Sequence, residues 1–148
     1  MLIQWRRDFH KYPEVGWTEF RTAAKIAEIL LDLGYTVKTG ADVISKKDML
    51  GVPPENELKM HMERAVNQGA DPEIVKGMEG GLTGVIGELN CGEGPTVALR
   101  FDIDANDITE PQDEKHRPYR EGFASVNPGA MHACAHDGHA AIGLGVAK

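Results

Sequence analysis

Cysteine is scarce, with Cys91 and Cys134 the whole complement. Two thiols are too few for a disulfide scaffold and fit a reducing cytoplasm. Long apolar runs are missing as well. The longest, such as Ile29-Leu30-Leu31, last three residues, far short of the roughly 20 that span a bilayer. Met1 to Asp8 lack the apolar stretch and small-residue cleavage site of a secretory signal, so the expected setting is cytoplasmic. Positive charge is in deficit, with 16 basic against 23 acidic residues and a net charge of −7. That balance argues against a general nucleic-acid or anionic-membrane surface. It leaves an anionic small molecule open, because a few local charges define such a site. No internal repeat or low-complexity tract is present. What remains is ordinary globular material, 148 residues at 41% hydrophobic and 26% charged, enough for one core and not for two complete domains.

Periodicity places the elements. Leu2, Trp5 and Phe9 share a helical face, and that helix stops near Tyr12-Pro13, since the residue before a proline leaves the α region. Phe20, Ala23, Ala24, Ala27, Leu30 and Leu31 form the apolar stripe of a second helix, with Arg21, Lys25, Glu28 and Asp32 toward water. Gly34 suits a left-handed terminus, and Tyr35-Thr36-Val37 reads as a short strand. From Thr39 to Gly80 the composition shifts. Pro53-Pro54 opens a helix carrying Leu58, Met62, Ala65 and Val66 and closed by Gly69, and Asp71-Pro72 reads as a cap followed by a first-turn proline. The segment at about 45–79 is apolar on one side only, which predicts a helical insertion lying on a sheet-based core. Residues 82–89 and 96–101 read as two strands, joined as a hairpin through the turn formers of 90–95. The stretch from Asp102 to Ala133 shows no sustained period and reads as a long loop, of the kind that carries function. After Gly138, Ala140, Ala141, Leu144 and Ala147 predict a last helix still running at Lys148. The expected class is α/β.

Three of the six histidines and one cysteine crowd into Met131-His132-Ala133-Cys134-Ala135-His136-Asp137-Gly138-His139. On an extended segment Cys134 and His136 point the same way and could reach one metal ion. Asp137 could be a further ligand or an acceptor that orients an imidazole. Two other readings stand beside this one. The histidines could be incidental to a loop, or Cys134 could be a nucleophile just before the last helix, where a thiol's pKa falls. The crowding of imidazoles favours the metal, since a nucleophile requires only one base. Asp102-Ile103-Asp104 follows directly on an apolar strand, and alternation puts both carboxylates on one face, at the strand end where open α/β sheets place their sites. These carboxylates suit metal binding or the orientation of a metal-bound histidine. Equally, they could begin a solvated acidic turn running on to Asp107 and Glu110. His10, near Glu14, reads as a surface or helix-end residue, His61 as surface, and Cys91 as an inert turn residue.

Three blocks together resemble a known family. Trp5-Arg6-Arg7-Asp8-Phe9-His10 with Pro13-Glu14, then Arg100-Phe101-Asp102-Ile103-Asp104-Ala105, then Met131 to His139 occur in the same order in metal-dependent amidohydrolases and carboxypeptidases. That group includes hippurate hydrolase, the auxin-conjugate hydrolases and carboxypeptidase G. The insertion and the segment His116 to Ser125 resemble its aminobenzoyl-glutamate-cleaving branch. The resemblance implies that residues 1–148 are the N-terminal part of a zinc-exopeptidase-like catalytic domain, a partial mixed β-sheet with helices on both faces. The family's smaller pairing domain and its general-base glutamate would lie beyond Lys148. The implied reaction is hydrolysis of the amide in an N-acyl amino acid, by the branch aminobenzoyl-glutamate, at two divalent ions, manganese or zinc.

By the same resemblance Cys134 and His136 correspond to the first two metal ligands. Asp104 matches an acidic residue that orients a ligand, and Arg117 becomes a candidate contact for a substrate carboxylate. Implied partners are the small-molecule substrate and, in the full-length enzyme, further subunits of the same or another kind. Two positions depart from the family pattern: Ala135 stands where relatives have glycine, and Asn106-Asp107 where many have Leu-Pro. The alternative from another class is a shortened, non-catalytic chain that binds a metal or a partner. In either case the 148 residues alone are expected to be inactive.

Overall fold

The computed structural model describes all 148 residues, Met1–Lys148. Helix α1 (Leu2–Lys11) runs into Tyr12-Pro13 and stops there, as the proline requires. Helix α2 (Phe20–Asp32) follows. Gly34, at φ +87°, ends it, with the Gly34 and Tyr35 amides donating to the Leu31 and Leu30 carbonyls at 2.9 and 3.0 Å. That pair of bonds is a Schellman terminus. Strand β1 (Thr36–Thr39) and two short 3-10 turns, Gly40–Asp42 and Lys46–Asp48, lead on to α3 (Glu55–Asn67) and α4 (Pro72–Gly77). The Asp71 carboxylate accepts the Glu73 and Ile74 amides at 2.8 and 3.2 Å, the cap expected from the sequence. Strand β2 (Val85–Glu88), the one-turn α5 (Arg117–Arg120) and α6 (His136–Ala147) complete the order. No helix is long and apolar enough to cross a membrane.

Helix α2 is the hub. The helical segment expected to lie on a sheet-based core packs chiefly on α2, with Val85 also against the shared cluster. Leu58 and Ala65 of α3 and Val75 of α4, with Ala70 and Met78, close over Phe20, Ala23 and Ala24. Two alanines side by side on α2 leave the room for this approach. On another side of α2, Leu30 packs with Phe9 of α1 and with Ala140 and Leu144 of α6. The two buried clusters therefore share one helix as their wall.

The two strands pair antiparallel, with Thr36 opposite Glu88 and Thr39 opposite Val85. The hairpin expected between 82–89 and 96–101 does not form. Residues 96–101 are unpaired, and Val97 and Leu99 are 79% and 63% exposed. Long-range packing decides the partner of β2. At Gly87 the side chains of Leu30 and Tyr35 press so close that a Cβ would stand 3.0 and 3.2 Å from them. Lys38 of β1 also reaches Glu88 across the ladder at 2.8 Å. Turn chemistry at 90–95 speaks only for the local alternative.

The α/β class holds, with two isolated bridges, Val15 to Ala105 parallel and Asn106 to Met131 antiparallel, adding to the pairing. Phe101 rests on α6 at Gly143, where a Cβ would lie 2.8 Å from the ring. That close approach anchors the residue just before Asp102 against the helix that begins at His136.

Candidate metal centre

Helix α6 begins at His136, three residues before the expected start after Gly138. Its N-cap, Ala135, is left-handed at φ 67° and ψ 22°. The extended run expected through Cys134 and His136 is therefore broken between them, and simple alternation does not place their side chains. A left-handed alanine costs about 1–2 kcal/mol, which gives a physical reason for glycine at this position in the family the sequence resembles.

Despite the turn, both side chains converge. Cys134 Sγ lies 3.6 Å and His136 Nδ1 3.1 Å from the Asp104 carbonyl oxygen. The same Nδ1 is 2.9 Å from Asp104 Oδ1. An imidazole that donates its Nδ1–H to a carboxylate leaves the Nε2 lone pair for a metal. His136 Nε2 faces Asp102 Oδ2 at 4.0 Å, and His139 Nδ1 stands 3.8 Å from that oxygen. The two imidazole rings stack at 4.9 Å. One donor atom from each of Asp102, His136 and His139 lies within 4.8 Å of the others. Cys134 is outside that trio, its thiol turned to the Asp104 carbonyl. A carboxylate and two imidazoles, with a thiol alongside, are donors that suit zinc or manganese. The residues fit a divalent ion.

Sequence reasoning left Asp102 open and gave His139 no role. The signal for His139 was its spacing of three from His136, which on a helix puts both on one face. Starting the helix after Gly138 hid it. Arg117 is largely exposed on α5, its Nε donating to Glu121 at 2.6 Å. Cys91 is a free, exposed cysteine.

A second set of polar groups lies buried behind the cluster. His10, read from the sequence as a surface or helix-end residue, does end α1 but is only 3% exposed. Its Nδ1 is 2.8 Å from Asp137 Oδ2 and its Nε2 2.9 Å from Glu110 Oε1. Burial alone would lower the pKa of this imidazole; the two carboxylates outweigh it and leave the pKa raised. Asp137, fully buried, also accepts from Arg6 Nε at 3.0 Å. Burial works against its charge, yet His10 and Arg6 hold its carboxyl below the usual range. Glu110 accepts from His116 at 2.6 Å and from the Ser125 amide. Glu14 caps α2 from outside the helix, accepting the Arg21 and Thr22 amides at 3.1 and 2.7 Å. Its carbonyl takes the Ala105 amide at 2.7 Å, beside Asp104. His132 is buried with neither ring nitrogen partnered, and burial pushes its pKa down to about 4, so it is neutral.

No family model matches the chain. Individual proteins do. A p-aminobenzoyl-glutamate hydrolase subunit of Escherichia coli K12 is 52% identical over 147 residues, covering 99% of this chain and 34% of that protein. Indole-3-acetyl-aspartic acid hydrolase of Enterobacter agglomerans matches at the same identity and coverage. A crystal structure of an aminobenzoyl-glutamate utilization protein from Klebsiella pneumoniae is 40% identical, with a TM-score of 0.75 over 99% of this chain and 30% of that one. The chain is homologous to these three proteins. It spans about a third of the length of the curated relatives it matches. The resemblance read from three short blocks therefore extends along the whole chain, and the α/β architecture is shared with a solved relative.

Proposed function

We propose that this chain supplies metal-binding residues to an amidohydrolase that cleaves the amide bond of an N-acyl amino acid, with aminobenzoyl-glutamate, named for the Escherichia coli and Klebsiella pneumoniae relatives, as the substrate. The observation that carries the reading is the lock on His136. Asp104 holds its Nδ1 at 2.9 Å, so the Nε2 lone pair faces Asp102 and His139. In this reading His136 and Cys134 are metal ligands, Asp102 and His139 complete the donor cluster, and Asp104 fixes the tautomer of His136. Zinc or manganese bound here, as a pair of ions in the complete enzyme, would lower the pKa of a bound water and polarise the scissile carbonyl.

This chain's residues bind and orient. Asp104 keeps a proton on His136 Nδ1, and Arg117, steadied by Glu121, is available for a substrate carboxylate. No glutamate stands in the donor cluster, and the general base comes from outside these 148 residues. The full enzyme works as an oligomer of like or unlike chains, in keeping with the naming of its relative as one subunit of a hydrolase. A cytoplasmic setting suits its two free cysteines. The direct test is elemental analysis of purified protein after zinc or manganese loading. His136→Ala and Cys134→Ser should each lower the bound metal, and Cys91→Ser should not. Full metal in both ligand variants would refute the assignment. If Cys134 were a nucleophile instead, Cys134→Ser would keep its metal and an alkylating agent would label the thiol with substrate protection.

A further inference from the structure

We propose that His10 is a positioning residue for His136, acting through Asp137; the proposal rests on the metal-binding reading above. The start of α6 needs such a support. Its N-cap is an alanine in the left-handed region, with no side chain to accept the first-turn amides, and alanine is a poor residue at that position. The carboxylate of Asp137 takes over part of that task, its Oδ1 accepting the Gly138 amide at 2.8 Å. Its other oxygen is gripped from α1 by His10 Nδ1 at 2.8 Å and Arg6 Nε at 3.0 Å.

His10 is itself held from the far side. Its Nε2 meets Glu110 at 2.9 Å, and Glu110 is in turn tied to His116 and the Ser125 amide. The side chains of His10, Glu110 and Asp137 are 4%, 0% and 0% exposed, so in the native fold they are held by protein groups. The chain Glu110–His10–Asp137 thus joins the last turn of α1, the loop after Asp104 and the first turn of α6. His136 is the residue before Asp137, and its ring must reach Asp104 on one edge and the donor cluster on the other. A shift at Asp137 is passed directly to that ring.

The experiment has two arms, both on the full chain. The first reads ring-nitrogen NMR of 15N-histidine-labelled, metal-free protein at neutral pH. In the wild type His136 should carry its proton at Nδ1, toward Asp104. In His10→Ala the His136 signal should move or broaden into a tautomer mixture, while His61 on α3 stays in place. His10→Gln, which keeps one donor for one carboxylate, should restore the His136 signal in part. If His10→Ala fails to fold, His10→Gln against wild type takes its place, with a smaller displacement of the His136 signal expected. An unchanged His136 in a folded His10 variant would overturn the proposal.

The second arm titrates zinc. His10→Ala should weaken binding by about 10–100-fold, with His10→Gln intermediate. Affinity within about twofold of wild type in both variants, where twofold is well below the usual effect of losing such a partner, would also overturn it. If the wild type takes up no zinc, the metal reading fails, and the nitrogen spectra alone decide the role of His10.

Discussion

At Ala135 a single methyl group works against the local backbone. A left-handed conformation costs a non-glycine residue about 1–2 kcal/mol, and glycine's own entropic penalty is about 0.5–1 kcal/mol. Ala135→Gly should therefore stabilise the chain by about 0.5–1 kcal/mol, read as a raised unfolding midpoint with unchanged slope; a lowered midpoint would mean the strain is relieved in solution. Glu19 tests the electrostatics at the same scale. It is 8% exposed and accepts the Thr83 hydroxyl at 2.6 Å, and burial raises its pKa from 4.5 to about 7. The folded state holds this proton more tightly than the unfolded one. Its contribution is complete below about pH 4.5 and is lost as pH rises to about 7. At roughly 1.4 kcal/mol per unit, the loss reaches about 3 kcal/mol. Glu19→Gln, which still accepts from Thr83, should be more stable than wild type at pH 8 and no better at pH 4. Equal stability gains at both pH values would show that burial does not perturb Glu19.

At the scale of elements, helix ends depend on carboxylates at different distances along the chain. Asp71 caps α4 from the adjacent position, so Asp71→Ala should cost about 1 kcal/mol. Glu14 caps α2 from five residues before its own N-cap and serves two amides and the Thr22 hydroxyl at once. Glu14→Ala strands these groups where Glu14 itself is fully buried, and should cost more than Asp71→Ala, on the order of 2–3 kcal/mol. Denaturant unfolding of the two variants ranks them, and a smaller loss at Glu14 would contradict its role as a cap.

The same contrast explains what was legible in the sequence. The Asp71-Pro72 cap, the Gly34 terminus and the stripe of α2 are local signals, and all were readable. The failed hairpin after β2, the burial of His10 and the early start of α6 each turn on a partner far along the chain. β2 pairs with β1 because Leu30 and Tyr35 press on Gly87, and His10 is buried because residues 100 and 127 positions away close over it. No spacing rule within a ten-residue window contains that information.

For the whole molecule, the N-terminal block and the histidine-rich block are one structure. Arg6 and His10 hold Asp137, Glu14 holds Ala105 beside Asp104, and Asp104 holds His136. The blocks that carried the family resemblance were visible as residues, but their function as a frame around one imidazole appears only in three dimensions. The donor cluster has no glutamate within it, and a positioned base is worth roughly 10²–10⁴ in rate. The 148-residue chain with aminobenzoyl-glutamate and either ion should therefore release no aromatic amine above background; metal-dependent turnover would show that the chain holds its own base. The most direct check of the central claim, that this frame presents His136 to a divalent ion, is a calorimetric zinc titration of wild type, His136→Ala and Asp102→Asn. Saturable binding should be abolished in His136→Ala and weakened in Asp102→Asn, with all three proteins folded. Binding that survives His136→Ala unchanged would contradict it.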